Sequence, residues 1–314
     1  MRWRVGNGEN IKIWSDQWIP GTQSLKVISP RGNSDPEMKV CDLIDEENAC
    51  WKVDLLTQLF PPFEVDRVIN IPISSRLPSD SLCWDLEKKG DFSVKSAYWA
   101  IWGARNSRVM EGEVRSAVEV VKYAQKTIGE VSDARDKKAE GWSVAAGGGE
   151  LPVVWSKPAV GFLKVNVDNG FVGELACGLG AVVRDEVGIV VAVGVQQIKA
   201  SWEVRIAEAK AIEWGLRVAA GLGVRDLVVE SDCLQVIQAL KNKTADLSEL
   251  SLIIDDILLL CSSFDNVIWS YVKRGGNKVA HFWAHFHPWE VGQRVWQDVI
   301  PTSIVDVALA DLSN

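Results

Sequence analysis

From residue 160 onward the apolar residues change period in a set order, and that order leaves few ways to fold. The run Phe162-Leu163-Lys164-Val165-Asn166-Val167-Asp168 alternates polar and apolar positions, as a half-buried strand does. Two more strand-like runs follow, separated by short turns near Gly173 to Gly178 and Asp185 to Gly188. These three strands are expected to form an antiparallel meander. Trp202 to Leu222 contains no proline and reads as a helix, Leu227 to Glu230 is the short apolar run of a buried strand, and Cys233 to Leu240 is helical again. A further helix leads into a strand at Val267 to Val272, and a last helix follows. Strands entered through helices lie parallel to the first. The expected fold is α/β, a five-stranded mixed sheet flanked by helices, preceded by a small irregular N-terminal region.

Three carboxylates occupy telling places in this order. Asp168 closes the first strand and is followed by the turn pair Asn169-Gly170, which puts it at a strand's carboxyl end. Asp232 follows Leu227-Val228-Val229-Glu230 and precedes a helix, so it too is expected at a strand's carboxyl end. Glu208 shares a helix face with Ala211, Ile212 and Gly215, and that face should look inward. A carboxylate held against a core is costly without compensation, and three close together repel one another. A hard divalent cation resolves both problems.

Five segments in sequence strengthen this reading: Lys164 to Asp168, Gly178 to Asp185, Ala207 to Ala211, Val229 to Asp232 and Arg274 to His281. In this order they resemble the ribonuclease H family, in particular the RNase H-like domain at the end of plant LINE-type retroelement proteins. The resemblance covers about residues 155 to 290. It implies two magnesium ions bridged by Asp168 and held by Glu208 and Asp232, with no side-chain nucleophile, and hydrolysis of the RNA strand of an RNA/DNA hybrid. Selection of RNA through its 2'-hydroxyls is expected near the backbone of Asn169 and Gly170. His281 stands where many such ribonucleases carry an aspartate that holds the second metal. It is taken as a fourth catalytic residue, and since imidazole suits softer ions, manganese is an alternative to magnesium. Asn169 stands where relatives usually place glycine.

A second resemblance lies upstream. Trp3 to Trp14, Asp16 to Gly21 and Lys89 to Tyr98 are similar to the segment that follows the polymerase in the same elements. The expected division is therefore residues 1–104 as a post-polymerase remnant, 105–154 as a helix and flexible linker, 155–290 as the RNase H-like domain, and 291–314 as a C-terminal tail. Within the linker, Val114, Val118, Val121 and Ala124 recur at helical spacing, and Ala145-Ala146-Gly147-Gly148-Gly149-Glu150 reads as a flexible joint. No Lys-Ser/Thr follows that glycine run, so it is not a phosphate-cradling loop.

Composition sets limits on function. A chain of 314 residues with 47% hydrophobic residues can bury a sizeable core without disulfides. Its six cysteines include no Cys-x-x-Cys pair and read as reduced packing residues. His281, His285 and His287 lack the Glu and Cys partners of a zinc site, and His285 and His287 are read as surface or packing residues. Glu230 and Asp185 are read as structural, and the fifteen Trp residues as packing. No apolar run reaches a membrane span and no secretory signal opens the chain, so an intracellular protein with no membrane partner is expected, its compartment and protein partners unknown.

Charge points the other way from the motifs. The chain carries a formal charge of −8, and residues 151–314 hold fourteen Lys and Arg against nineteen Asp and Glu. Nucleic-acid binders usually show a basic footprint. Lys199, Arg205, Lys241, Lys243, Lys273, Arg274 and Lys278 remain to line one face, so the expected binding is weak and salt-sensitive. The competing function is a retroelement-derived domain that keeps the fold and only binds nucleic acid.

Overall fold

The computed structural model describes residues 1–21, 24–85, 87, 89–91, 93, 96, 154–172, 176–243, 246, 248–286, 291–297 and 299–312. The expected helix around Val114 to Ala124, the glycine joint, half of Lys89 to Tyr98, and His287 lie outside them. The chain divides into two compact units, one built from Met1–Ile73, Leu77–Glu150 and Asp246–Ser248, the other from Ser74–Arg76, Leu151–Ala245 and Glu249–Asn314.

The first unit is made of short elements. Strands β1 (Arg2–Arg4), β2 (Ile44–Asp45) and β3 (Cys50–Trp51) precede helices α1 (Val53–Leu59) and α2 (Pro62–Ile69), and β4 (Ser81–Cys83) pairs back antiparallel on β1. Irregular as it is, the unit has a core of its own, in which Ile11, Ile13, Trp18, Leu43, Leu56 and Val68 are fully enclosed. Asp80 organises the glycine-rich start: its carboxylate accepts from the backbone N–H groups of Gly6 (2.8 Å), Gly8 (2.9 Å) and Asn10 (2.9 Å). Gly6 is required there because a Cβ would lie 2.0 Å from the Pro78 carbonyl oxygen.

The second unit is the predicted α/β sheet with an addition. Strands β5 (Leu163–Val172), β6 (Ala176–Arg184) and β7 (Val190–Ile198) form the antiparallel meander. Helix α3 (Val204–Gly221) leads to β8 (Asp226–Ser231), and helices α4 (Leu234–Asn242) and α5 (Glu249–Leu260) lead to β9 (Asn266–Tyr271). β8 runs parallel to β5, and β9 parallel to β8. Helix α6 (Lys278–Ala284) follows. The main core lies between the sheet and α3 with α5, where Val165, Val167, Ile212, Leu216, Val229 and Ile257 are fully buried. Cys177 lies in this core, and Cys233 and Cys261 pack against it as free thiols.

The sheet has six strands, not five. Residues read as a tail contain β10 (Gly292–Trp296), which pairs antiparallel with β7, and helix α7 (Thr302–Leu312). On the sheet face opposite α3, Ile304 and Ala308 of α7 and Val279 and Trp283 of α6 bury Val182, Val193 and Val195. β10 escapes sequence reading because it is a five-residue edge strand with exposed side chains, so it shows no buried alternation.

A second correction concerns Asn169 and Gly170, which are not a turn. β5 continues to Val172, pairing Asn169 with Leu179 and Gly170 with Gly178, because the hairpin ladder with β6 outruns the parallel pairing with β8, which ends at Asn166. Asp168 thus sits inside β5, just past the last parallel pair.

Candidate active site

Alternation along β5 sends Lys164, Asn166 and Asp168 to the face opposite Val165 and Val167. Asp232 follows the last residue of β8, the neighbouring strand, and Glu208 projects from the first half of α3. α3 comes close because residue 215 is glycine: a Cβ there would stand 2.4 Å from a Val167 methyl. The result is a cluster in which one carboxylate oxygen each from Asp168, Glu208 and Asp232 lies within 4.8 Å of the others. Asp168 and Glu208 are buried and Asp232 half-buried.

The electrostatics show what this placement costs. Burial, then the charge of Asp232, pushes Asp168 up to about 6, against the opposing pull of His281. Burial, then the charges of Asp168 and Asp232, pushes Glu208 up to about 8, partly offset by hydrogen bonds from the Ser231 hydroxyl and the Asn169 side chain. Among the described residues this is the one group of three or more Asp, Glu, His or Cys side chains whose ligand atoms converge in this way. Three oxygen donors within bridging reach of one another, two of them held in costly burial, suit a hard divalent cation.

His281 does not join the three. From α6 its Nδ1 meets Asp168 Oδ2 at 2.9 Å. His285, one turn on, donates its Nδ1–H to the His281 carbonyl at 2.8 Å and sets its ring 4.4 Å from the His281 ring. Read as a surface or packing residue, His285 is exposed and braces His281. α6 reaches this position over two glycines: a Cβ at Gly180 would lie 2.6 Å from the Ala284 nitrogen, and one at Gly170 would lie 2.8 Å from the Ala284 oxygen. Gly180→Ala is expected to push α6 off the sheet at a cost of about 1–3 kcal/mol. Hydrogen-exchange protection of the β5 and β6 amides that is unchanged in this variant would show that α6 is not seated this closely.

Beneath the carboxylates lies a polar layer to which sequence reading assigned no function. Glu230, read as structural, pairs with buried Lys164 at 3.0 Å and accepts from Asn166 and Ser270. Arg184, wholly buried, stacks 3.7 Å over the Trp155 ring and donates to Asp311 of α7 and to Asn166. Asn277, the residue before α6, donates to Asp232 at 3.2 Å. The signal for this layer was present: Lys164, Asn166 and Asp168 are all polar on one face of a central strand.

Residues 166–287 match the family model described as reverse transcriptase-like. Over 100 residues the chain is 28% identical to an Arabidopsis thaliana protein that carries a provisional ribonuclease H name, covering 31% of this chain and 16% of that protein. The chain thus spans under a fifth of the length of this curated relative. Among solved structures, it is similar to the RNase H1 of Halobacterium salinarum NRC-1, at 22% identity and TM-score 0.37 over 39% of this chain and 93% of that one. It is also similar to the N-terminal RNase H domain of a Mycobacterium tuberculosis protein, at 22% identity and TM-score 0.36 over 48% of this chain and 98% of the other. No helix among the described residues is long and apolar enough to cross a membrane.

Proposed function

We propose that the second unit, whose residues 166–287 form a domain of the RNase H-like, reverse transcriptase-like family, is a metal-dependent endonuclease that hydrolyses the RNA strand of RNA/DNA hybrids. The observation that carries this reading is the convergence of Asp168, Glu208 and Asp232 within 4.8 Å of one another.

Asp168, Glu208 and Asp232 would hold a divalent cation, magnesium or manganese. The chemistry such a cation supplies when bound is Lewis-acid activation of water and neutralisation of phosphate charge. The protein's own part is orientation. His281 fixes Asp168 through Oδ2, and the Asn169 N–H fixes Oδ1 at 2.8 Å. The Ser231 hydroxyl lies 3.4 Å from Glu208 Oε2. His281 acts in this reading by setting the rotamer of Asp168. With the domain's excess of acidic residues, hybrid binding is weak and falls with salt. The upstream unit is read as a remnant of the retroelement segment that follows the polymerase. The excess of acid supports a second reading, a domain that keeps the fold and binds nucleic acid without cutting it.

Cleavage of a labelled RNA/DNA hybrid in magnesium and in manganese, beside an Asp168→Asn control, separates the two. The expected result is metal-dependent cutting that the control loses entirely. Folded protein that cuts with neither metal would leave the binding reading.

A further inference from the structure

The hydrogen bonds of the polar layer run in one direction and end on a carboxylate of the site. Asn166 is wholly buried, and every hydrogen-bonding position of its amide is taken. Its Oδ1 accepts from Trp155 Nε1 at 2.8 Å and Arg184 Nη2 at 3.1 Å. Its Nδ2 donates to Glu230 Oε2 at 2.9 Å and to Asn277 Oδ1 at 3.3 Å. The sense of this amide is forced, because indole and guanidinium only donate while Glu230, paired with Lys164, accepts. Asn166 therefore shows Asn277 an N–H. Asn277, also wholly buried, must receive it on Oδ1, which turns its own Nδ2 the other way. There it donates to the Val167 carbonyl at 2.9 Å and to Asp232 Oδ1 at 3.2 Å.

The geometry points to an amide relay in which Asn277 is a positioning residue that holds Asp232 for metal binding, its sense set through Asn166 by Trp155 and Arg184. The relay rests on the reading of Asp168, Glu208 and Asp232 as a metal site. It explains why a buried cation is kept on this sheet face. Arg184 is anchored by the Trp155 ring and by Asp311 at 3.2 Å, so the C-terminal helix is tied through two amides to Asp232. Asn277 also joins two elements, since the same amide group that reaches Asp232 after β8 grips the backbone of β5 at Val167. A single side chain thereby bridges β5 and the residue after β8, beyond the last pair of their ladder at Asn166 and Glu230.

Partners that orient a metal ligand from behind are typically worth about 10–100-fold in metal affinity. The test is manganese binding to the full chain by isothermal titration calorimetry, for the unmodified protein, Asn277→Ala, Asp232→Asn and the double variant. Asn277→Ala is expected to weaken binding about 10–100-fold, while Asp232→Asn and the double variant bind alike, because the amide acts only through Asp232. A purely structural Asn277 would lower the melting temperature and leave manganese affinity unchanged, which overturns the relay. If Asn277→Ala does not fold, Asn277→Ser carries the test. Its hydroxyl can still receive the Asn166 N–H but offers Asp232 no amide N–H, and manganese binding is expected to weaken about two- to tenfold, the worth of one hydrogen bond; unchanged affinity in this variant overturns the relay as well. Unmodified protein that binds no manganese sinks the metal-site reading itself, and with it the relay. Binding by the unmodified protein that Asn277→Ala matches sinks the relay alone.

Discussion

Glu208→Gln is expected to make the metal-free protein more stable while abolishing hybrid cleavage. Burial and two neighbouring carboxylates disfavour the charged form of Glu208, which is why it is pushed up to about 8 from its ordinary 4.5. Gln has the same shape, still accepts the Ser231 hydrogen bond, and carries no charge to bury or repel. The gain expected at pH 8 is about 0.5–2 kcal/mol, the size usual when a strained functional group is relieved. The sign can be followed in pH. Both Asp168 and Glu208 bind their protons more tightly in the folded chain than in the unfolded one. Their contribution to stability is therefore fully present below about pH 4, and it is lost as pH rises through about 6 for Asp168 and about 8 for Glu208. Melting of the metal-free second unit should fall between pH 5 and pH 8. The fall should be shallower in Glu208→Gln and should be countered by added manganese, which binds only the folded state. A variant less stable than the parent at pH 8 would mean that Glu208 is not the desolvated, repelled group described above.

Glu230→Ala is expected to be the most destabilising single change in the sheet. It leaves the Lys164 ammonium buried with the Ser156 carbonyl as its nearest remaining acceptor, and it strips an acceptor from both Asn166 and Ser270. Removing one partner of a buried, hydrogen-bonded pair costs about 3–5 kcal/mol, because the other charge stays behind. Glu230→Gln keeps one acceptor oxygen and should cost about 1–3 kcal/mol. Since the chain holds two units, a global denaturation curve would mix them. Hydrogen exchange of the β5 and β8 amides reads the second unit alone. Protection in Glu230→Ala within about 1 kcal/mol of the parent would mean that Lys164 finds solvent and the layer is not closed.

The two variants draw a distinction among the acidic residues around β5 and β8. The carboxylates that gather beyond the end of the parallel pairing reduce stability for the sake of the site, whereas Glu230, two residues before Asp232, is compensated on every side. Sequence reading took Glu230 as structural, and the folded chain pairs it with buried Lys164. Its neighbours Lys164 and Asn166 lie more than sixty residues earlier, and no local pattern joins them to it.

Local periodicity by itself determined the order and direction of the first five sheet strands and the inward face of the helix bearing Glu208. Alternation at two residues and recurrence at three or four are written into neighbouring positions and survive without tertiary contacts. The ordered motifs pointed to the same sheet and to the same three carboxylates. Tertiary structure alone decided the rest. β5 runs through Asn169 and Gly170 because a partner strand supplies their hydrogen bonds, and Gly170 serves helix approach, not a turn. β10 and α7 belong to the sheet because β7 and the apolar face of β6 and β7 receive them. The sense of the Asn166 and Asn277 amides depends on donors and acceptors from Trp155, Arg184 and Glu230, which only the folded chain brings within 3.5 Å. Periodicity is a local property of the chain, whereas a polar network is closed by groups far apart in sequence, and each of its members takes a definite orientation only when all of them are present.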